Sequence, residues 1–350
     1  MGDFERRVNV FHQYCNEMRV DAAFDLVAQL EQSAVTAGDH IMLGACQTRI
    51  GLFAQAERTL SGVLPLFPQL EGVGRCVVAE LATVKNHLGK IAEGAALEKQ
   101  LALKNHYTID DPERAAAFLP LFREKMLEDG ESIAGKRVFI VLAGGLGDAI
   151  EQLRNIDNLI AGGARQVFVN TPEPLLELVS NSALRVTQQR GIVEELAHCD
   201  CLALGNMLNW RYWREGAATV STTNYLRPMR ARKRPIEVLP QPGKRKIGMV
   251  WRSTNATWLT CRHEPFRSMA LSTLEPLLAD PRSAHLCGAL GVPVWNLLAQ
   301  VCDWRWGDAA QRTTPLYASM HLFRQTTLGD WEPVIAEVAA ALAQIEPAAH

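Results

Sequence analysis

One stretch of the chain joins backbone freedom to an acid: Leu142-Ala143-Gly144-Gly145-Leu146-Gly147-Asp148-Ala149-Ile150. Glycines permit positive φ and let a ligand approach the backbone closely. Asp148 in such a turn reads two ways. It caps the helix that follows, as Asp does well, or it takes a proton from a bound hydroxyl as a general base. A dinucleotide fingerprint is excluded, because Ile150 stands where Gly145 and Gly147 need a third glycine or alanine. A carboxylate at this helix start also competes for the N–H groups a pyrophosphate would use and repels its charge. A neutral ligand group is therefore expected beside Asp148.

Other chemistry is sparse. Cys199 and Cys201 stand one residue apart, closer than a zinc CxxC, and no second Cys or His pair matches them. No metal site is expected. Eight cysteines are spread along the chain, a pattern that suits buried thiols better than a disulfide framework.

The elements that must position these residues are legible in outline. Arg137–Ala143 is a short continuous apolar run against a glycine cluster, as expected of a strand buried on both faces of a parallel sheet. A helix over 150–160, a strand over 166–170 and a helix over 174–179 follow, the β-α-β-α order of a doubly wound fold. Residues 229–245 hold Pro235, Pro240, Pro242 and a basic cluster, which reads as a solvated linker. Beyond it, a strand over 246–252, helices over 271–278 and 285–290, a strand over 292–298 and a terminal helix over 331–345 make a second α/β unit.

Residues 4–128 carry apolar positions at helical spacing, broken near Gly38, Pro68 and Asp111-Pro112. This is an all-α region of helical hairpins. Leu43, Gly44, Gly51, Ala56, Leu60 and Pro68 fall at the offsets of the tetratricopeptide pattern, with weaker echoes one period away at Ala23 and at Gly94-Ala95. A nonrepetitive bundle would use small residues at helix contacts too.

Composition narrows the class. In 350 residues the chain carries a formal net charge of -2, with 48% hydrophobic and 21% charged residues, which argues against a nucleic-acid-coating or disordered protein. The first residues lack a basic-then-apolar leader and no later apolar run reaches the ~20 residues of a spanning helix, so a cytoplasmic protein is expected.

The glycine turn ending in Asp148 resembles the G-L-G-D element of heptosyltransferase-like glycosyltransferases of family 9 type. The similarity continues through Tyr225-Leu226-x-Pro228 and Ile247-Gly-Met-Val-Trp251. It extends over Ala284-His285 to Pro293-Val294-Trp295, Asp303-Trp304-Arg305-Trp306, Tyr317-x-Ser319-Met320, Leu322-Phe323-Arg324-Gln325 and Gly329-Asp330-Trp331. These later motifs resemble those of tetratricopeptide-fused members. The resemblance implies an α/β fold with an N-terminal all-α region: tetratricopeptide-like hairpins over 1–130, then a GT-B pair of Rossmann-like domains over 136–228 (acceptor) and 246–350 (nucleotide sugar). It implies Asp148 as catalytic base, with Gly145 and Gly147 at the substrate, and Arg252, Arg262, Arg267, Ser268, Asp280 and His285 on the donor side. The nucleotide-diphosphate sugar is a substrate, and no cofactor is implied. A glycan, lipopolysaccharide or protein accepts the sugar, and the helical region offers a surface to a protein partner.

The second half departs from the family. Related proteins place two or more strand–helix units between the helix ending at Leu278 and the His285 element, and here they are missing. Asp280 keeps the family's five-residue spacing to His285, but Pro281 replaces a threonine. A short sheet buries little surface, so a marginal domain and an incomplete donor pocket are expected. Two classes remain open: an inverting, metal-independent glycosyltransferase, and a degenerate relative that acts through its helical repeats.

Overall fold

The computed structural model describes residues 2–344 apart from 69–71, 105–119, 129, 143, 181, 183–185, 190–195, 197, 215–224, 227–280 and 308. The expected linker, the strand over 246–252 and the helix over 271–278 lie outside the described residues. So do Arg252, Arg262, Arg267, Ser268 and Asp280.

Six helices open the chain: α1 (Asp3–Asn16), α2 (Val20–Ser33), α3 (Ala37–Arg49), α4 (Phe53–Val63), α5 (Val73–His87) and α6 (Ile91–Lys104). They pack as the consecutive pairs α1/α2, α3/α4 and α5/α6. Sequence chemistry sets the boundaries. Thr36 accepts from the Asp39 N–H and Asp39 accepts from the Thr36 N–H, a reciprocal cap that starts α3. Gly44 makes the α3/α4 contact, since a Cβ there would lie 2.5 Å from Leu60 Cδ2. Ala56 and Leu60 are buried in the core on this side, while Leu43 of α3 packs with α1 and α2.

Two sheets follow. The first is parallel, with order β3-β2-β1-β4 from β1 (Arg137–Val141), β2 (Gln166–Asn170), β3 (Thr187–Gln189) and β4 (Cys201–Leu204). The fold class is thus α/β with a helical N-terminal region. Its helices are α7 (Leu146–Gln152), α8 (Asn155–Ala161), α9 (Leu176–Ser180) and α10 (Gly205–Arg214). The strand order reverses between β1 and β4, so the carboxyl end of β1 is a topological switch point, where open α/β sheets bind ligands.

The second sheet is smaller, with order β5-β7-β6 from β5 (Val294–Leu298), β6 (Thr313–Thr314) and β7 (Tyr317–Arg324). Strands β5 and β7 are parallel, and β6 is antiparallel to β7. Helix α11 (Pro281–Ala289) precedes it and α12 (Glu332–Ala343) ends the described chain. Pro281 is the first residue of α11, where a missing N–H leaves no intrahelical bond unmade.

The structure revises two expectations. The helix over 150–160 is two helices, because the chain turns at Leu153 and Arg154. The Glu151 carbonyl there accepts from the Arg154 backbone N–H at 3.4 Å and from Arg154 Nε at 2.8 Å. The small sheet is not left to bury its surface alone. Leu298, Trp306, Leu316, Tyr317, Met320 and Leu322 share one core with Val138, Ile140, Ile150 and Leu153 of the first unit. On its other side Phe323, Trp331, Val334 and Val338 join Phe11, Val27, Leu30 and Leu43 in a second core. The helical region is therefore built into the C-terminal unit. Among the described residues, no helix is long and apolar enough to cross a membrane.

Candidate active site

The glycine turn stands where the parallel sheet presents it. Strand β1 ends at Val141, and the Leu142 N–H donates to Asn170 Oδ1 at the end of β2 at 2.8 Å, which fixes the exit of the chain. Gly144 then takes φ +91°, in the left-handed region that other residues rarely adopt. A Cβ on it would also lie 2.6 Å from Asp148 Oδ2. The turn thus folds the Asp148 carboxylate back over its own backbone, where Oδ2 accepts from the Gly145 N–H at 2.8 Å. Asp148 occupies the third position of α7 and caps its start from there. Capping engages one carboxylate oxygen; the other faces a cation.

That cation is Arg305. Its Nη2 donates to Asp148 Oδ1 at 2.6 Å and to Asp303 Oδ2 at 2.7 Å, its Nη1 to Glu151 Oε2 at 2.8 Å, and its Nε to Asp303 Oδ1 at 3.1 Å. Glu151 is fully buried one turn along α7 from Asp148. Asp303 caps the 3-10 turn Trp304–Trp306 by accepting from the Arg305 N–H. Burial works against the Arg305 charge, but Asp303, Asp148 and Glu151 more than offset it, and the guanidinium is held protonated well beyond its ordinary range.

A second buried cation lies beneath. Arg154, 1% exposed, places its guanidinium carbon 4.8 Å from the centre of the Tyr317 ring and 5.8 Å from that of Tyr225. Its two terminal nitrogens have no hydrogen-bond partner among the described residues, and the ring faces take that place. The Tyr225 hydroxyl donates to the Ile150 carbonyl at 2.9 Å, tying residues 225–226 to α7.

His285 closes the group from α11. A Cβ on Gly147 would lie 3.2 Å from His285 Cδ2, so a larger residue would push the imidazole back from α7 by a few tenths of an ångström. Its Nδ1 is hydrogen-bonded to the Tyr317 hydroxyl at 2.8 Å, and its ring stacks on Trp306 with centroids 5.0 Å apart. Burial, then the Arg305 charge and more weakly Arg154, push the imidazole down to about 3, although Asp148 and Asp303 pull the other way. His285 is therefore neutral at pH 7. At that pH it offers a hydrogen bond and not a positive charge. Trp306 is buried packing beneath it.

Of the residues singled out in the sequence, the structure brings Asp148, Gly145, Gly147 and His285 together. Arg305, Glu151, Asp303, Arg154, Tyr225 and Tyr317 belong to the same cluster but were assigned no role from sequence. Arg305, Asp303, Tyr225 and Tyr317 do lie inside stretches that carry the family resemblance. Their charge pairing was the missing information.

No family model matches the chain, and no curated protein matches it. Among solved structures, a point mutant of the Thermobaculum terrenum O-GlcNAc transferase is similar at a TM-score of 0.21 and 14% identity, over 55% of this chain and 43% of that one. The chain thus spans less than half the length of that protein. Likeness at this level carries neither fold nor activity across.

Proposed function

We propose that the cluster around Asp148 is the base end of a glycosyl-transfer site. It would move a sugar from a nucleotide-diphosphate donor to a hydroxyl of a glycan, lipopolysaccharide or protein acceptor. The observation that carries this reading is convergence. Gly144–Asp148, Tyr225-Leu226, Ala284-His285, Asp303–Trp306 and Tyr317 are five separated stretches that resemble one glycosyltransferase family, and their side chains meet at a switch point. The reading includes a GT-B arrangement with tetratricopeptide-like helices, and a cytoplasmic setting.

In the mechanism, the acceptor hydroxyl sits against Asp148, which removes its proton while the oxygen attacks the anomeric carbon and the diphosphate leaves from the opposite face. One positioned carboxylate suffices for inversion, without a covalent intermediate. Arg305 and the Gly145 N–H hold that carboxylate in a fixed direction, so little reorganisation is needed at the moment of transfer. Arg252, Arg262, Arg267 and Ser268, with Asp280, are the proposed donor-side residues, and backbone N–H groups with basic side chains would receive the leaving diphosphate without a metal. Neutral His285 adds a hydrogen bond to that side.

The missing strand–helix units predict a weak donor pocket, with an affinity of about 1 mM or ~-4 kcal/mol and little nucleotide preference. Calorimetry with UDP, GDP, ADP and CMP sugars tests this. Heat from at least one supports the enzyme reading, and a micromolar selective site would show a complete pocket. Silence with all four would favour a degenerate relative acting through its helices.

A further inference from the structure

A cavity of about 560 Å³ opens between the α5/α6 turn and the segment that follows β5. We propose that it binds a neutral saccharide of one or two rings, whether or not Asp148 catalyses transfer. Its volume lies within the range of small-molecule sites.

The chemistry of the walls carries the choice. Both charged lining residues are already engaged. The Asp303 carboxylate is bound by Arg305, and the Arg324 guanidinium donates to the carbonyls of Gln311 at 3.0 Å and Trp306 at 2.6 Å. An anion or cation therefore meets no uncommitted counter-charge among the described lining residues.

The rest of the lining is the indole of Trp304 and the aliphatic side chains of Leu88 and Ile91 beside three carboxamides, those of Asn86, Gln300 and Gln325. Of these, Asn86 Nδ2 already donates to Glu98 Oε1 at 3.4 Å and Gln300 Nε2 to the Thr326 carbonyl at 3.0 Å. A carboxamide both donates and accepts, as does each hydroxyl of a sugar. An aromatic and aliphatic wall suits the C–H face of the same ring. Gln325 uses its Oε1 to accept from the Gln300 and Gly329 N–H groups, while its buried Nε2 has no acceptor. A buried donor left unpaired is costly, so a ligand oxygen reaching that wall gains a partner.

The cavity and the catalytic candidate share one wall. Asp303 and Trp304 line the cavity, while Arg305 and Trp306 of the same four residues hold Asp148 and His285. A sugar bound there lies directly behind the Asp148 cluster.

Saturation-transfer NMR with lactose, cellobiose and N,N′-diacetylchitobiose on the full chain tests the site. Ala309, an exposed rim residue of the cavity, is replaced in one variant (Ala309→Trp) to fill it. Transfer to at least one sugar is expected, weakened roughly tenfold, or ~1.4 kcal/mol, in Ala309→Trp and in Trp304→Ala. It is expected unchanged in Asp148→Asn, which separates this site from the transfer reaction. A melting curve on each variant confirms that it is folded. No transfer to any of the three sugars, transfer undiminished in a folded Ala309→Trp, or competition by inorganic phosphate would each overturn the proposal.

Discussion

Arg305 Nη2 lies 2.6 Å from Asp148 Oδ1, joining residues 157 positions apart in the chain. The same nitrogen holds Asp303 at 2.7 Å, so a single guanidinium binds one acid from the first βα turn and one from the loop after β5. Through Nη1 it also neutralises Glu151, which has no exposed surface. This one side chain orients the candidate base and offsets a buried carboxylate next to it.

Replacing Arg305 by Met strands Glu151 without its main counter-ion. The loss is expected to be about 3 kcal/mol, the lower end for a broken buried pair because Arg305 is partly exposed. Glu151→Gln in the same chain should restore a large part, since the neutral amide needs no counter-ion. Denaturant midpoints of the two single variants and the double variant measure the coupling, and strictly additive losses would show that the pair does not interact.

His285 gives an acid-sensitive contribution to stability. Folded, its imidazole stays neutral down to about 3; unfolded, it takes up a proton near 6.5. The unfolded state thus binds more protons between these values, and stability from this group is present above about pH 6.5 and lost as pH falls toward 3. Urea unfolding of wild type at pH 7 and pH 5 should show a larger drop than unfolding of His285→Asn. Equal drops would mean that the imidazole is not held neutral.

Removing the six N-terminal helices should not leave a soluble remainder. Phe323, Trp331, Val334 and Val338 bury their side chains with α1, α2 and α3, and the cut would expose them. A chain starting after residue 104 is expected to aggregate or lose its cooperative melt. A monomeric remainder melting close to wild type would make the helices a separate module.

The sequence makes part of this architecture legible. Strands β1 and β2 are apolar runs bounded by glycine or turn residues, and the Asp148 turn is marked by its three glycines. Strands β3 and β4 are three and four residues long, too short for a period to show, and β7 is visible only as a motif. Arg154 sits in the run that reads as one helix, and nothing local marks it as buried. Its burial depends on Tyr225 and Tyr317, which only the tertiary fold brings to it. Arg305 is hidden for the same reason: apart from the neighbouring Asp303, its partners Asp148 and Glu151 lie in α7, and no local spacing reports a pair formed so far along the chain.

The most direct test of Asp148 as base is release of nucleotide from UDP, GDP, ADP and CMP sugars with an oligosaccharide acceptor present, in wild type and in Asp148→Asn. The account predicts release from at least one donor by wild type and a loss of ~100-fold or more in the variant, with an unchanged fold. Equal rates in the two proteins, or a variant that only loses the ~1 kcal/mol of a helix cap while turnover persists, would contradict it.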